Sequence, residues 1–224
     1  MFLLAFLLQD LFDLANLDQI KEAQDLGILD GVTTNPSLMA KEGITGKQNI
    51  LDHYNKICEI VDGDVSAEVI ATDYKGMVNE GKELSSLHKQ IVVKVPMIKE
   101  GIKATRYFSN NGIRTNVTLV FSAGQALLAA KAGANYVSPF IGRLDDISTD
   151  GLGLISEIRE IYDNYGFSTE ILAASIRHTM HIIDCSKIGA DVITAPLKSI
   201  LGLLKHPLTD IGLENFLKDY KKGN

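Results

Sequence analysis

Residues 91–139 read IVVKVPMIKEGIKATRYFSNNGIRTNVTLVFSAGQALLAAKAGANYVSP, and this stretch decides the fold. Short apolar runs end near Val95, Leu119 and Pro139, and helical patterns lie between them at 99–111 and 122–132. Strands that alternate with helices of about 10–15 residues are typical of βαβ units. The stretch therefore predicts parallel strands joined by helices.

The same alternation continues in both directions along the chain. Further apolar runs end near Asp13, Thr34, Ile70, Ala173 and Thr194. Further helical patterns lie near 17–26, 47–61, 73–88, 150–164, 177–188 and 208–221. Eight strand–helix units in about 220 residues favour an α/β fold of the (β/α)8 or TIM barrel type, with a doubly wound open sheet as the competing architecture.

No linker divides the sequence, so we expect one barrel domain over residues 1–224. The stretch 206–222 has a proline near its start and an amphipathic pattern, which predicts an additional C-terminal helix that caps the barrel or contacts a neighbouring subunit. No G-x-G-x-x-G follows a strand and no G-x-x-x-x-G-K-[ST] occurs, which argues against a dinucleotide site and a P-loop.

Composition and charge limit the partners. The 22 Lys and Arg residues against 28 Asp and Glu give a net charge of −6, which disfavours nucleic acid but allows a small anion held by local cations. The two cysteines, Cys58 and Cys185, cannot form a disulfide framework, which favours a cytoplasmic location. The apolar residues 1–8 are far short of the ~20 that span a membrane and lack a signal peptide's basic region, so we expect them to pack on protein, with no membrane partner.

Polar side chains lie at seven of the eight predicted strand ends. They are Asp13, Thr33 with Asn35, Glu68, Lys94, Asn116 with Thr118, Ser138 and Ser175. Active sites of such barrels lie at the carboxyl ends of the strands. Polar side chains that converge on this face are therefore a candidate catalytic group.

Lys94 is the most informative of these residues because it lies within a run of Val and Ile. Burial among apolar neighbours disfavours an ammonium ion, and a neutral amine can attack a carbonyl to form a Schiff base. The alternative is an edge-strand lysine that opposes aggregation. Glu68 and Asp13 have the chemistry to relay protons in an aldol reaction. A buried salt bridge with Lys94 is the alternative for Glu68, and a helix N-cap is the alternative for Asp13.

Two arginines form a possible anion site. Arg143 follows the sixth strand, and Arg177 is expected at the start of the helix after the seventh. A helix N-terminus offers free N–H groups, arginine binds phosphate through paired hydrogen bonds, and late loops of these barrels often hold phosphate. Two helix-surface arginines are the alternative. His178 and His181 lack an evident third ligand, which favours two partly exposed helix histidines over a metal site.

Seven segments, taken in order, resemble a known enzyme family. They are 13–18 (DLANLD), 31–37 (GVTTNPS), 91–96 (IVVKVP), 115–125 (TNVTLVFSAGQ), 136–143 (YVSPFIGR), 173–177 (AASIR) and 189–191 (GAD). The chain resembles the small, single-domain transaldolases, a subfamily that also contains fructose-6-phosphate aldolase. The resemblance extends from about residue 11 to the C-terminus.

The resemblance implies a class I mechanism that needs no metal and no cofactor, on phosphorylated sugars of the pentose phosphate pathway. Lys94 would form a Schiff base with sedoheptulose 7-phosphate or fructose 6-phosphate, and cleavage between C3 and C4 would leave a dihydroxyacetone unit on Lys94 as an enamine. Glyceraldehyde 3-phosphate or erythrose 4-phosphate would then accept that unit. The subfamily resembles homo-oligomers, either pentamers or decamers.

The resemblance also implies a role for each site residue. The implied catalytic residues are Lys94, Glu68, Asp13 and Thr118. The implied substrate-binding residues are Thr33, Asn35, Asn116, Ser138, Phe140, Arg143, Ser175 and Arg177. Glu68 and Thr118 would hold a water for proton transfer, and Asp13 would handle the proton of the C4 hydroxyl. The phosphate would lie on Arg143, Ser175 and Arg177.

Phe140 and Glu68 favour a transaldolase over an aldolase. Aldolase members resemble Ala-Pro-Tyr at 138–140 and tend to have glutamine at the position of Glu68. Because Phe140 cannot donate a proton, the enamine should persist until an acceptor arrives. One alternative is a fructose-6-phosphate aldolase that releases dihydroxyacetone. The other is a non-catalytic sugar-phosphate-binding barrel, suggested by Leu14 in place of threonine and by residues 9–10, which are expected to interrupt the first strand.

Overall fold

A closed parallel barrel forms the centre of the molecule. The computed structural model describes residues 9–13 and 15–223, with side chains from residue 15 onward. The strands are β1 (Gln9–Asp13), β2 (Gly31–Thr33), β3 (Asp64–Glu68), β4 (Ile91–Pro96), β5 (Thr115–Val120), β6 (Tyr136–Pro139), β7 (Glu170–Ala173) and β8 (Val192–Ala195). They pair in chain order, and β8 pairs with β1. The (β/α)8 prediction is confirmed, and the open sheet is excluded because it would leave two unpaired edges.

Helices connect the successive strands. They are α1 (Leu17–Asp25), α2 (Pro36–Lys41), α3 (Lys47–Ile60), α4 (Tyr74–Leu87), α5 (Lys99–Asn110), α6 (Ala123–Ala132), α7 (Ile141–Asp145), α8 (Gly151–Tyr165), α9 (Thr179–Ile188), α10 (Leu197–Leu201) and α11 (Pro207–Gly223), with a 3₁₀ turn at Gly202–Leu204. The sequence predicts the longer helices to within two residues. It misses α2, α7 and α10, which have five or six residues each.

The N-terminal part of the barrel corrects two expectations. Gln9 and Asp10 belong to β1 and pair with Val192 and Ile193, so the expectation that they interrupt the strand is wrong. A parallel ladder uses backbone groups, which polar residues supply as well as apolar ones. Asn16, not Asp13, caps α1, accepting hydrogen bonds from two backbone N–H groups at 3.0 and 3.1 Å. Residues 1–8 and residue 14 lie outside the described residues.

The barrel interior is apolar toward the amino ends of the strands and polar toward their carboxyl ends. The apolar layer contains Val92, Tyr136, Leu172 and Val192. Alternate residues of a strand share a face, so Lys94, Ser138 and Thr194 point into the same interior one layer higher. The change from apolar to polar side chains places a polar chamber at the carboxyl ends of the strands.

The helix α11 carries its apolar side chains on the surface. None of its residues is buried, and Leu213, Phe216 and Leu217 are 57, 75 and 52% exposed. Their spacing of three and four residues puts them on one face of the helix. Within the described part of the chain, no helix has both the length and the apolar character needed to cross a membrane.

Candidate active site

A buried lysine lies in the polar chamber. Lys94 is 5% exposed, and its Nζ lies 3.1 Å from Glu68 Oε2 and donates a hydrogen bond of 3.1 Å to the Thr34 carbonyl oxygen. Glu68 on β3 is the register partner of Lys94 on β4. Since β4 pairs with both β3 and β5, the edge-strand interpretation of Lys94 is wrong.

The ion pair between Lys94 and Glu68 has two chemical consequences. Opposite charges compensate each other where water is excluded, which an isolated buried charge cannot do. The carboxylate also lies within proton-transfer distance of the amine, and an amine that has lost its proton has the lone pair needed to attack a carbonyl. The geometry therefore fits an amine nucleophile with an adjacent base.

Tyr54 supports this pair and is not predicted from the sequence. Its hydroxyl accepts hydrogen bonds from Thr34 Oγ1 at 3.0 Å and from the Glu68 backbone N–H at 3.3 Å. Burial raises the pKa of Tyr54, so the hydroxyl stays protonated. The tyrosine lies on the apolar face of α3, where its spacing is that of a core residue and gives no sign of a link to the site.

Thr118 points into the barrel by the regular alternation of β5, two residues after Asn116, and an irregularity in the strand follows it. Its Oγ1 is buried and has no hydrogen-bond partner among the described residues. The next residue, Leu119, has a φ of 61°, and the β5–β6 register shifts between Val117 and Val120. Consequently Val120 packs in the outer core while Thr118 and Leu119 both line the chamber. A buried hydroxyl without a protein partner is suited to bind a substrate or a water.

The chamber is a cavity of about 720 Å³, a size typical of small-molecule sites. It is lined by Thr33, Asn35, Glu68, Lys94, Thr118, Ser138, Phe140, Arg143, Ser175 and Arg177, among others. Asn116 lies beneath it, fully buried, where its Oδ1 accepts a 2.7 Å hydrogen bond from Ser138 Oγ. Asp13 ends β1, and its side chain lies outside the described residues. The structure thus brings ten of the twelve predicted site residues to one cavity.

Internal contacts fix several walls of the cavity. Thr33 Oγ1 on β2 lies 2.7 Å from Thr194 Oγ1 on β8, and these two strands flank β1. Asn35 caps α2, since its Oδ1 accepts the Leu38 N–H at 3.0 Å. The Phe140 ring packs edge-to-face on Phe121, with 5.8 Å between centroids. These side chains are held in place before any ligand binds.

The two arginines lie at the rim of the cavity. Arg143 is part of α7, and Arg177 Nη2 lies 2.6 Å from Asp146 Oδ2. Arg177 precedes α9 rather than starting it, because His178 takes the N-cap position and Thr179 begins the helix. The expectation that Arg177 lies at the start of that helix is therefore wrong by two residues.

Gly142 lets the two arginine-bearing segments approach each other, which the sequence did not predict. A Cβ at position 142 would lie 2.2 Å from the Ser175 carbonyl oxygen and 2.6 Å from Arg177 Nε. Ser175 itself has a φ of 62°, a conformation that non-glycine residues adopt at a cost in energy. The loop at Ser175 is thus strained and closely packed.

The rings of His178 and His181 are in contact, with 3.9 Å between centroids and an angle of 44° between their planes. His181 is buried, so the expectation of two partly exposed histidines is wrong for this residue. In the part of the chain that the structure describes, no cluster of three or more His, Cys, Asp or Glu side chains could hold a metal ion.

Comparison with known proteins assigns the family. The family model described as "Transaldolase/Fructose-6-phosphate aldolase" matches residues 11–222. The chain belongs to this family. Within the transaldolase/fructose-6-phosphate aldolase family, a Flavobacterium psychrophilum protein named "Probable transaldolase" is 77% identical over 212 residues, covering 95% of this chain and 97% of that protein. A Cytophaga hutchinsonii protein of the same name is 72% identical with the same coverage. The resemblance of the seven segments is confirmed.

A distant solved structure shares only the barrel. Inosine 5'-monophosphate dehydrogenase from Legionella pneumophila has 12% sequence identity and a TM-score of 0.59, covering 84% of this chain and 58% of that one. At this identity the likeness concerns the architecture alone. The assignment of the chain to the transaldolase/fructose-6-phosphate aldolase family therefore depends on the sequence comparisons.

Proposed function

We propose that the chain is a transaldolase that transfers a dihydroxyacetone unit from a ketose phosphate to an aldose phosphate. The buried Lys94–Glu68 pair carries the proposal, because it lies in a cavity with two arginines at the rim, in a chain 77% identical to a protein named "Probable transaldolase". The proposed donors are fructose 6-phosphate and sedoheptulose 7-phosphate. The proposed acceptors are erythrose 4-phosphate and glyceraldehyde 3-phosphate, as in the pentose phosphate pathway.

The proposed chemistry begins at Lys94 Nζ. The neutral amine adds to C2 of the ketose, and loss of water gives a protonated Schiff base. A base removes the proton of the C4 hydroxyl, the C3–C4 bond breaks, and its electron pair moves toward the iminium nitrogen. The aldose phosphate leaves and an enamine remains on Lys94. Attack of the enamine on the acceptor aldehyde, followed by hydrolysis of the Schiff base, reverses these steps and frees the lysine.

Proton transfers are assigned to the groups around the lysine. Glu68, 3.1 Å from Nζ, is the proposed acceptor of the amine proton, and the Thr118 hydroxyl is proposed to hold the water that carries protons between Glu68 and the adduct. Asp13 is proposed to act on the C4 hydroxyl, since β1 ends there at the same face of the barrel.

Thr118→Val separates activity from stability. We expect the turnover number to fall about a hundredfold, because the proton-carrying water loses the hydroxyl that binds it. The melting temperature should stay at or above that of the wild type, because removal of the hydroxyl breaks no internal hydrogen bond. Thr105→Val is the matched control, since Thr105 Oγ1 is equally buried but donates to the Gly101 carbonyl at 2.9 Å on the outer layer. That variant should lose stability and keep its turnover, and a Thr118→Val protein with wild-type turnover would contradict the role of Thr118.

The other polar groups are proposed to bind the donor. Asn35, Thr33 and Ser138 line the cavity beside Lys94 and offer hydrogen bonds to sugar hydroxyls, while Asn116 holds the Ser138 hydroxyl from below. The phosphate is proposed to bind at the rim on Arg143, Arg177 and the loop at Ser175. Arginine and loop N–H groups are suited to a phosphate dianion.

Phe140 is proposed to determine whether the dihydroxyacetone unit is transferred to an acceptor or released. A hydrocarbon ring packed on Phe121 cannot protonate the enamine, so the dihydroxyacetone unit waits for an acceptor. Phe140→Tyr should increase free dihydroxyacetone formed from fructose 6-phosphate without acceptor by about tenfold. The assay measures free dihydroxyacetone with and without erythrose 4-phosphate. Efficient release by the wild-type protein without acceptor would favour the aldolase alternative, and an unchanged product ratio in the variant would count against Phe140.

The helix α11 is proposed to join copies of the chain into a homo-oligomer. Leu213, Phe216 and Leu217 form an exposed apolar face on a helix that buries none of its residues, and burial of such a face favours association. Phe216→Asp should lower the particle mass measured by light scattering, whereas Tyr165→Asp, at a position 74% exposed on α8, should leave it unchanged. Equal masses for wild type and Phe216→Asp would contradict an interface at α11.

A further inference from the structure

The imidazoles of His178 and His181 each accept a hydrogen bond from a backbone N–H at the start of α9. His178 Nδ1 accepts the His181 N–H at 3.3 Å, and His181 Nδ1 accepts the Arg177 N–H at 3.3 Å. His178 is the N-cap of α9, and His181 is its third residue. The arrangement is similar to a capping box, in which the side chains at these two positions bind backbone donors at the start of a helix.

The other nitrogen of His181 reaches the helix that carries Arg143. His181 Nε2 lies 3.0 Å from Asp145 Oδ2, and Asp145 Oδ1 accepts the Gly151 N–H at 3.1 Å. Because Nδ1 accepts an N–H, the proton of the neutral ring is on Nε2, which donates it to Asp145. One buried ring therefore ties the backbone of Arg177 to the end of α7, two residues beyond Arg143.

We propose that His181, together with His178 and Asp145, positions Arg177 and Arg143 so that both arginines contact the same phosphate of the substrate. The inference rests on the proposed function, since it places the donor phosphate on these arginines. His181 does not line the cavity, so its effect reaches the substrate through Arg177. Loss of this positioning should weaken binding of phosphorylated donors and leave the chemistry at Lys94 intact.

The positioning works only while the His181 ring is neutral. A second proton would occupy Nδ1 and remove the acceptor of the Arg177 N–H. The charged or titratable groups that act on His181 are Asp145 on α7, His178 at the N-cap and Arg177 in the preceding loop. Burial, and then the charge of His178, lower the pKa of His181, while Asp145 acts in the opposite direction. The neutral ring is thus retained at pH 7 and lost on the acid side.

The test compares three variants of the full chain at pH 8 and pH 5, the second chosen well below the ordinary histidine pKa because burial lowers the pKa of His181. His181→Phe keeps a flat ring but has no nitrogen, whereas His181→Gln keeps an oxygen for the Arg177 N–H and an amide for Asp145, and does not titrate. His88→Phe is the matched control, because His88 Nδ1 also accepts a backbone N–H, that of Gln90 at 3.4 Å, but at the far end of the barrel.

At pH 8 we expect His181→Phe to raise KM for fructose 6-phosphate about three- to tenfold, which corresponds to the loss of one backbone hydrogen bond. Its kcat should change little, and His181→Gln and His88→Phe should match the wild type. At pH 5 the KM of the wild type should rise relative to that of His181→Gln. Titration of the substrate phosphate affects both proteins equally and cancels in the ratio of their KM values. A wild-type KM for His181→Phe, or the same pH dependence in wild type and His181→Gln, would overturn the proposal.

Two further readouts keep the outcome decisive. If His181→Phe does not fold, the comparison of wild type with His181→Gln at the two pH values carries the test. Borohydride reduction in the presence of dihydroxyacetone, which has no phosphate, should modify Lys94 equally in wild type and variants. Absence of the adduct in the wild type would overturn the proposed function, whereas equal adducts with an unchanged KM would overturn only the role of His181.

Discussion

Replacing Lys94 with methionine is expected to lower kcat/KM by a factor of about 10³ or more, because removal of the nucleophile eliminates the covalent route. Methionine has nearly the length of lysine and fills the same space in the barrel. The loss would therefore reflect the missing amine rather than a cavity. The measurement is the initial rate of transfer from fructose 6-phosphate to erythrose 4-phosphate over fructose 6-phosphate concentrations below and above KM, which gives kcat/KM directly.

The same substitution should also destabilise the fold, for a separate reason. It leaves the Glu68 carboxylate, whose side chain is 16% exposed, without its cation, and breaking a buried pair in this way costs about 3–5 kcal/mol. Adding Glu68→Gln should recover most of that stability in urea unfolding while activity stays absent. The control is Lys103→Met, since Lys103 pairs with Glu100 at 2.6 Å on the surface and should affect neither quantity. A Lys94→Met protein that keeps wild-type transfer would contradict the account.

Gly142→Ala is expected to damage the proposed phosphate site and the fold together. Its Cβ would meet the Ser175 carbonyl oxygen at 2.2 Å and Arg177 Nε at 2.6 Å, so the loop before α9 and the helix α7 must separate. Overpacking of this kind costs about 1–3 kcal/mol of stability. Because the two arginines move apart, KM for phosphorylated donors should rise about tenfold or more. This factor corresponds to the loss of one charged hydrogen bond.

The control for this prediction lies on α6. A Cβ at Gly124 meets nothing within 4 Å, so Gly124→Ala adds a methyl group to a helix without a clash. It should leave KM unchanged and raise stability by up to about 1 kcal/mol through helix propensity. Thermal melts and KM values for fructose 6-phosphate compare the two variants directly. If Gly142→Ala behaves like Gly124→Ala, the close approach at position 142 has no functional importance.

The barrel and the positions of Lys94 and Glu68 follow from the sequence for a simple reason. A polar residue within an apolar strand must face either the barrel interior or the helices, and only the upper interior offers it polar neighbours. Parallel pairing in chain order makes their strands neighbours, and the structure supplies the register that makes Lys94 and Glu68 partners.

The short helices and the details of the anion site do not follow from sequence patterns. Helices of five or six residues such as α2 and α7 are too short to be stable alone, so tertiary contacts decide whether they form. The strand irregularity at Leu119 affects a single residue and leaves no trace in the apolar pattern. The close approach at Gly142 and the burial of His181 depend on segments that are distant in sequence. They cannot be predicted from the periodicity of a single segment.

Trapping of the covalent intermediate tests the central claim most directly. The protein is incubated with fructose 6-phosphate and borohydride, digested, and its lysine-containing peptides are analysed by mass spectrometry. The account predicts a reduced three-carbon adduct on Lys94, less abundant when erythrose 4-phosphate is added before the borohydride. Binding of fructose 6-phosphate without any adduct, or an adduct on a lysine other than Lys94, would contradict it.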